Sequence, residues 1–358
     1  MTNDHPYSDR PQIIEFIRTE VRDRTDRTIK AGKFGQIPEG ATKLFTLHTA
    51  NQWMDLERNT PRPHTLFGEL WRQGELCILF ADTNAGKSTL AVQIGNALAN
   101  REQTPPFNCE AARCNVVYVD FELSAAQFHA RYTHQDVTFR FSAGFYRAGF
   151  NPGATLPPDF KTFGEYMNAA LEHVVVQAGA SVLIIDNITC LRGDTGHAGQ
   201  ALPLMQHLKT LKSKYSLSVL VLAHTPKRNP AKPITRNDLE GSKMLINFAD
   251  SAFAIGESHL ERGLRYLKQV KQRTGELLYG ADNVCLFRIV KPLNFLKFEF
   301  AGFDDERLHL DIPSPTRKKS IAFRIQELSA AGLSQRKIAL HLNIALGKVN
   351  AILNKAEE

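Results

Sequence analysis

The stretch Ala81-Asp82-Thr83-Asn84-Ala85-Gly86-Lys87-Ser88 decides the fold. An apolar run at 75–81 leads into it and a helix-length segment at 87–99 leads out. It follows the phosphate-loop pattern GxxxxGK[ST], with Ala81 in place of the first glycine. Each residue type has a physical task. Consecutive backbone N–H groups wrap phosphates, and Gly86 lets the backbone approach them. Lys87 reaches the β- and γ-phosphates, and Ser88 sets a hydroxyl on Mg²⁺. Asp82, Thr83, Asn84, Ala85, Gly86, Lys87, Ser88 and Thr89 are therefore the candidate nucleotide contacts. The expected ligands are ATP and Mg²⁺. Ala81 sits at the strand exit, where a methyl group is tolerable.

Outward from the loop, residues from about Thr65 to Asp311 alternate short apolar runs with helix-length segments, the mark of βαβ units. Strands are expected at 75–81, 115–121, 181–186 and 218–223. These runs are rich in Val, Ile and Leu and lack strict alternation, as strands covered on both faces do. Helices are expected at 87–99, 124–132, 160–179 and 200–215. The runs 264–270, 284–290 and 295–300 alternate more and read as antiparallel additions.

Two strands end in acids. Val182-Leu183-Ile184-Ile185-Asp186 places a carboxylate beside the phosphate loop, where Asp186 and Ser88 would hold Mg²⁺; an Asp capping the next segment would read the same. Val117-Tyr118-Val119-Asp120 runs into Phe121-Glu122-Leu123-Ser124. Glu122 is the candidate general base that orients a water, since Asp120 lies two residues back inside the strand. Alternatively Glu122 only favours the N-terminus of a helix that Ser124 caps.

These segments resemble the RecA-like ATPases, specifically the hexameric helicase branch of DnaB-like replicative helicases and plasmid RepA helicases. The resemblance covers about residues 65–300. It rests on the phosphate loop, the Asp186 strand and Phe121-Glu122-Leu123-Ser124-Ala125-Ala126-Gln127, which looks like that branch's catalytic-glutamate segment. Val219-Leu220-Val221-Leu222-Ala223-His224 is similar to the strand ending in a polar γ-phosphate sensor, a role the resemblance gives to His224. Lys271-Gln272-Arg273-Thr274-Gly275 looks like the K-x-R-x-G segment that sends a lysine and an arginine finger to a neighbour's ATP. The resemblance thus implies a homo-oligomer, a hexamer in that branch. Lys271 and Arg273 would be catalytic in trans, alongside Lys87, Glu122 and His224. Cations supplied in trans stabilise charge in phosphoryl transfer. Read alone, Lys268, Lys271 and Arg273 also suit a strand-edge basic cluster.

The same resemblance turns the loops after Asp186 and after His224 towards a channel holding single-stranded DNA. The second loop, 225–238, carries Lys227, Arg228, Lys232 and Arg236 among three prolines. That composition suits phosphate contact from a mobile loop and equally an ordinary solvated one. Residues 1–62 do not resemble the helical collar or primase-binding domain of the large replicative helicases.

Of the 358 residues, 44 are Lys or Arg and 37 Asp or Glu, a net charge of +7. Residues 317–358 hold eight basic and three acidic side chains, so +5 of that +7 lies there, which suggests a polyanionic partner. After a Pro-rich linker at 313–320, residues 321–358 resemble the helix-turn-helix of resolvases and response regulators. Ser334 can cap the second helix, Gly332 ends the first, and Ile338, Ala339 and Leu342 form an apolar face. Arg336, Lys337, Lys348 and Asn350, with Asn354 and Lys355 further along, are the candidate DNA contacts. A small trihelical protein-interaction module is the alternative.

The five scattered cysteines without a CxxC pair argue against a disulfide framework or a zinc site. No apolar run approaches the ~18–20 residues of a membrane helix. A cytoplasmic location away from membranes is expected.

The expected architecture is α/β. A polar segment at 1–62 precedes a RecA-like core at 63–312 with a mainly parallel central sheet, and a small all-α C-terminal domain follows. The expected function is an oligomeric, DNA-binding ATPase, a helicase or helicase-like replication ATPase of a plasmid or mobile element. The rivals are a nonmotor ATPase switch for DNA-site regulation, partition or transposition, and a RecA/RadA-like recombinase. A small-molecule kinase is disfavoured, since nothing resembles a lid or an acceptor site.

Overall fold

A computed structural model describes residues 45–187, 201–239, 243–311, 315–342 and 344–354. The expected channel loop after Asp186, Lys355 and residues 1–44 lie outside this set. The chain divides into two units, Met1–Arg62 and Pro63–Glu358. Within the first, helix α1 (Ala50–Glu57) starts at a capping box: Thr49 Oγ1 accepts from Gln52 N and Gln52 Oε1 from Thr49 N. None of its residues is buried, and Trp53, Met54 and Leu56 are exposed.

The second unit begins with a ribbon of β1 (Thr65–Phe67) and β2 (Trp71–Arg72). The main strands are then β3 (Leu76–Ala81) and β4 (Val116–Asp120). A second ribbon of β5 (Thr133–His134) and β6 (Val137–Thr138) comes before β7 (Phe145–Gly149). Next are β8 (Val182–Asp186), β9 (Ser218–His224) and β10 (Ser251–Glu257). The last strands are β11 (Leu264–Gln272), β12 (Val284–Val290) and β13 (Lys297–Asp304). The large helices are α2 (Lys87–Asn100), α3 (Ala125–Arg131), α4 (Phe163–Ala178) and α5 (Ala201–Lys214), followed by the short α6 (Lys243–Phe248) and α7 (Glu306–His309). The tail holds α8 (Pro315–Ala330), α9 (Gln335–His341) and α10 (Leu346–Asn354).

Nine strands form one sheet in the order β13-β12-β11-β10-β3-β9-β8-β4-β7. From β10 to β7 every pairing is parallel; β11, β12 and β13 extend it antiparallel. Side chains alternate across a strand, so the apolar runs of β3, β4, β8 and β9 feed two cores. On one face Leu79, Tyr118, Ile184 and Leu222 pack with Leu90, Ile94 and Leu98 of α2. On the other, Ile78, Val119, Ile185 and Val221 pack with Leu171 and Val175 of α4 and Met205 and Leu208 of α5. This is a mixed α/β fold with a large, mainly parallel sheet, as a P-loop NTPase core has.

Besides the two small ribbons, two strands of the large sheet escape the sequence pattern. β10 reads Ser-Ala-Phe-Ala-Ile-Gly-Glu, whose small residues carry little strand preference, yet it pairs directly with β3. Gly256 within it lies under the Tyr266 ring, where a Cβ would sit 2.0 Å from Cζ. β7 is an edge strand that contains Arg147 and Gly149. The expected linker also contracts, because residues 315–320 are already helical.

The tail helices enclose a third core of Ile321, Ile325, Ile338, Ala339, Leu342 and Val349. Leu260, from the β10–β11 connection, belongs to the same cluster. Ser334 Oγ accepts from Lys337 N, and Gly332 takes a φ of +82°, so both helix boundaries follow the sequence signals. Beneath Leu260, the Glu261 carboxylate is buried and meets Arg288 of β12, His341 Nε2 at 2.9 Å and Arg324 at 3.6 Å. The tail is therefore docked on the antiparallel strands.

Candidate functional site

The parallel strands deliver their C-terminal ends to one edge, where open α/β sheets bind ligands. β3 ends at Ala81, whose methyl is fully buried and whose carbonyl accepts from Thr225 N at 3.0 Å. Asp82, Thr83 and Asn84 then form an exposed turn with Asn84 at φ +63°, Ala85 is buried, and Gly86 at φ +101° leads into α2. These left-handed positions turn successive N–H groups inward as a phosphate nest requires. Gly86 is demanded by more than the phosphates. A Cβ there would lie 2.8 Å from both Ile289 Cδ1 and Phe298 Cζ, so β12 and β13 crowd the loop from behind. Thr89 is buried in the first turn of α2.

The Lys87 ammonium donates to the carbonyls of Ala81 and Asp82, each at 3.0 Å, and lies 3.1 Å from His224 Nδ1. His224, at the end of β9, has Nε2 3.3 Å from Glu122 Oε1 and 3.0 Å from Asn187 Nδ2. Asn187 Nδ2 also donates to Glu122 Oε1. The strand of Asp186 is not next to the P-loop strand, contrary to the simplest reading, because β9 lies between them. This insertion places His224 between Lys87 and Glu122.

Asp186 is 1% exposed. Burial pushes its carboxyl up to about 6; hydrogen bonds from Ser88 and Tyr118 pull the other way, and Glu122 and Asp120 add like charge. Ser88 and Asp186 are thus within reach of each other and form the hard-oxygen pair that suits Mg²⁺. Thr225, whose N–H donates to the Ala81 carbonyl, is buried, and its Oγ1 has no partner among the described residues. The nest, the oxygen pair and this polar orphan fit a Mg²⁺-nucleotide.

Asp120 shapes the turn that presents Glu122. Its Oδ1 accepts from Glu122 N at 3.1 Å and Leu123 N at 2.9 Å, while Arg147 Nε on β7 donates to Oδ2 at 3.0 Å. Ser124 then caps α3 through a capping box with Gln127. Sequence reading missed Asn187, Tyr118 and Arg147. Asn187 was marked only by following Asp186, and Arg147 lies on the strand that carried no signal.

The matching family model, described as an AAA domain, covers residues 43–230. The chain belongs to the AAA domain family. Its AAA domain contains the phosphate loop, Glu122, Asp186 and His224, and is a P-loop ATPase domain. No curated protein matches the chain. Among the described residues, no helix is long and apolar enough to cross a membrane.

Lys271 and Arg273 do not join the AAA domain's site. Lys271 and Gln272 end β11, which runs antiparallel to β10, and Arg273 follows directly; Gln272 is opposite Ser251, itself level with Cys77 near the start of β3. The pair therefore sits at the opposite end of the sheet from the phosphate loop. Lys271 Nζ donates to Ile246 O at 2.5 Å, and burial followed by the nearby Arg273 pulls its ammonium below the usual range. Arg273 donates to Asn247 O at 2.6 Å and to Asp250 at 3.2 Å.

The basic loop after His224 is pinned at Ile234. Ile234 N donates to Glu306 Oε1 at 2.8 Å, and Lys268 Nζ, 2.5 Å from Glu306 Oε2, donates to Ile234 O. Arg228 is half-buried and donates to Lys232 O, whereas Lys227, Lys232 and Arg236 are exposed. In the tail, Arg336, Lys337 and Lys348 are exposed. Asn350 is half-buried, with its Oδ1 enclosed and unpartnered among the described residues, so it turns partly inward.

Proposed function

We propose that the chain is an oligomeric, DNA-dependent ATPase with shared active sites, a helicase or helicase-like replication ATPase of a plasmid or mobile element. The observation that carries this reading is the division of the expected catalytic set. Lys87, Ser88, Glu122, Asp186 and His224 meet at one edge of the sheet. Lys271 and Arg273 lie at the other. A cation so far from its own phosphate loop can act on ATP only from a neighbouring subunit.

Lys87 would bind the β- and γ-phosphates through its ammonium, and the nest N–H groups would hold the remaining oxygens. Ser88 and Asp186 would hold Mg²⁺, which when bound neutralises charge on the phosphate oxygens. Glu122 orients the attacking water, and His224, between Lys87 and Glu122, relates phosphate occupancy to the position of that acid. Lys227, Lys232 and Arg236 supply phosphate contacts to single-stranded DNA, and the exposed Arg336, Lys337 and Lys348 supply contacts to duplex.

A nonmotor switch is favoured by one observation: the tail is fixed to the antiparallel strands through Leu260 and Glu261 instead of hanging on a tether. The test is the ATPase rate with Mg²⁺, with and without single-stranded or duplex DNA, for the wild type, Lys87→Ala and Arg273→Ala. Stimulation by single strands, lost in each variant and regained on mixing the two, supports the motor with shared sites. Full activity of Arg273→Ala, or hydrolysis indifferent to DNA, leaves the switch.

A further inference from the structure

Tyr118 lies on β4 beneath the site. β4 and β8 run parallel with Tyr118 opposite Ile184 and Asp120 opposite Asp186, so the tyrosine and both acids share the face of the sheet under α2. The Tyr118 ring is fully buried and stacks on Phe145 of β7 with centroids 6.2 Å apart. Its hydroxyl donates to Asp186 Oδ2 at 2.6 Å, the distance of a strong bond to an ionised acceptor.

Three carboxylates crowd this edge, and each has its own donors. Asp120 takes Arg147 and two backbone N–H groups. Glu122 takes Asn187. Asp186 takes Tyr118 and Ser88. An uncharged donor is the arrangement that suits a metal-binding acid, because a paired arginine would compete with the cation for its charge.

We propose that Tyr118 is a positioning residue for the metal-binding acid: its hydroxyl holds the Asp186 carboxylate in the orientation that meets Ser88, and so sets the affinity for Mg²⁺. This inference rests on the reading of the site as one for Mg²⁺ and nucleotide. Among the described residues the hydroxyl's hydrogen bond goes to Asp186. Its effect is therefore confined to the cation.

Tyr118→Phe removes one oxygen and keeps the ring on Phe145. In the full chain, binding of a fluorescent ATP analogue is titrated with Mg²⁺ and repeated in EDTA, with thermal melting as a check on the fold. Loss of such a supporting partner weakens metal affinity roughly 10–100-fold. The expected result is a shift of that size in the Mg²⁺ midpoint, with binding in EDTA unchanged. In an Asp186→Asn background the same substitution should cause no further shift.

A Mg²⁺ midpoint within twofold of the wild type overturns the proposal. So does an equal loss of binding in EDTA, or an undiminished shift in the Asp186→Asn background, since either marks a merely structural role. A wild-type chain that binds the analogue identically with and without Mg²⁺ overturns the site reading itself, an outcome distinct from the others.

Discussion

The parallel and antiparallel parts of the sheet are built on different terms. In the parallel part, β3, β4, β8 and β9 are covered on both faces, and their polar groups gather at the C-terminal ends. In the antiparallel part, β11 to β13 are partly exposed, and charged side chains there act as fasteners. Lys268 ties the basic loop to Glu306, and Arg288 meets Glu261 beneath the tail. The AAA domain match, at 43–230, spans β3 to β9 and stops before β10. The phosphate loop, Glu122, Asp186 and His224 thus lie in the parallel part, whereas Lys271 lies on an antiparallel strand, with Arg273 directly after it, and the tail is docked on those strands.

The sharpest contrast is between two acids. Glu122→Gln should lower ATP hydrolysis roughly 10²–10⁴-fold while nucleotide affinity and denaturation midpoint stay close to wild type. Steady-state hydrolysis and urea unfolding check this. Glu306→Ala strands the Lys268 ammonium in a buried position and should cost about 3–5 kcal/mol in urea unfolding. If the Glu122 variant were destabilised as much as the Glu306 variant, the division between chemistry and fastening would fail.

Leu260→Ala opens a cavity in the tail's core and should cost about 2–5 kcal/mol, felt locally. Hydrogen exchange should show α8 to α10 losing protection while α2 keeps it. Equal loss in both would show one cooperative body instead of two differently built parts.

The smallest effect concerns Asp186. Its folded carboxyl titrates near 6, above the ordinary value of 3.8, so the native chain binds this proton more tightly than the unfolded one. In the absence of Mg²⁺ this contribution to stability is greatest below about pH 4 and is lost as pH rises through 6. Asp186→Asn should flatten that part of the profile by a few degrees of melting temperature. An unchanged profile would mean that burial does not raise the Asp186 carboxyl in the folded chain.

Local signals explain what was readable. The phosphate loop, the unalternating strands and the caps at Ser124 and Ser334 depend on near neighbours, and all stand where the sequence put them. β7 and β10 were invisible because an edge strand and an alanine-rich strand owe their state to the partners they pair with. The basic loop read equally as a mobile or an ordinary solvated one because its anchor, Glu306, lies 72 residues from Ile234.

From the sequence alone came the α/β class of the chain, its phosphate loop and the residues expected to serve it. How those residues are arranged was set by the tertiary structure. Strand order put β9 between β3 and β8 and so brought His224 to both Lys87 and Glu122. The antiparallel return of β11 carried Lys271 and Arg273 away from that edge. The physical reason is that periodicity and propensity act over a few residues, whereas strand order and the partners of buried charges are set by contacts between segments far apart in the chain.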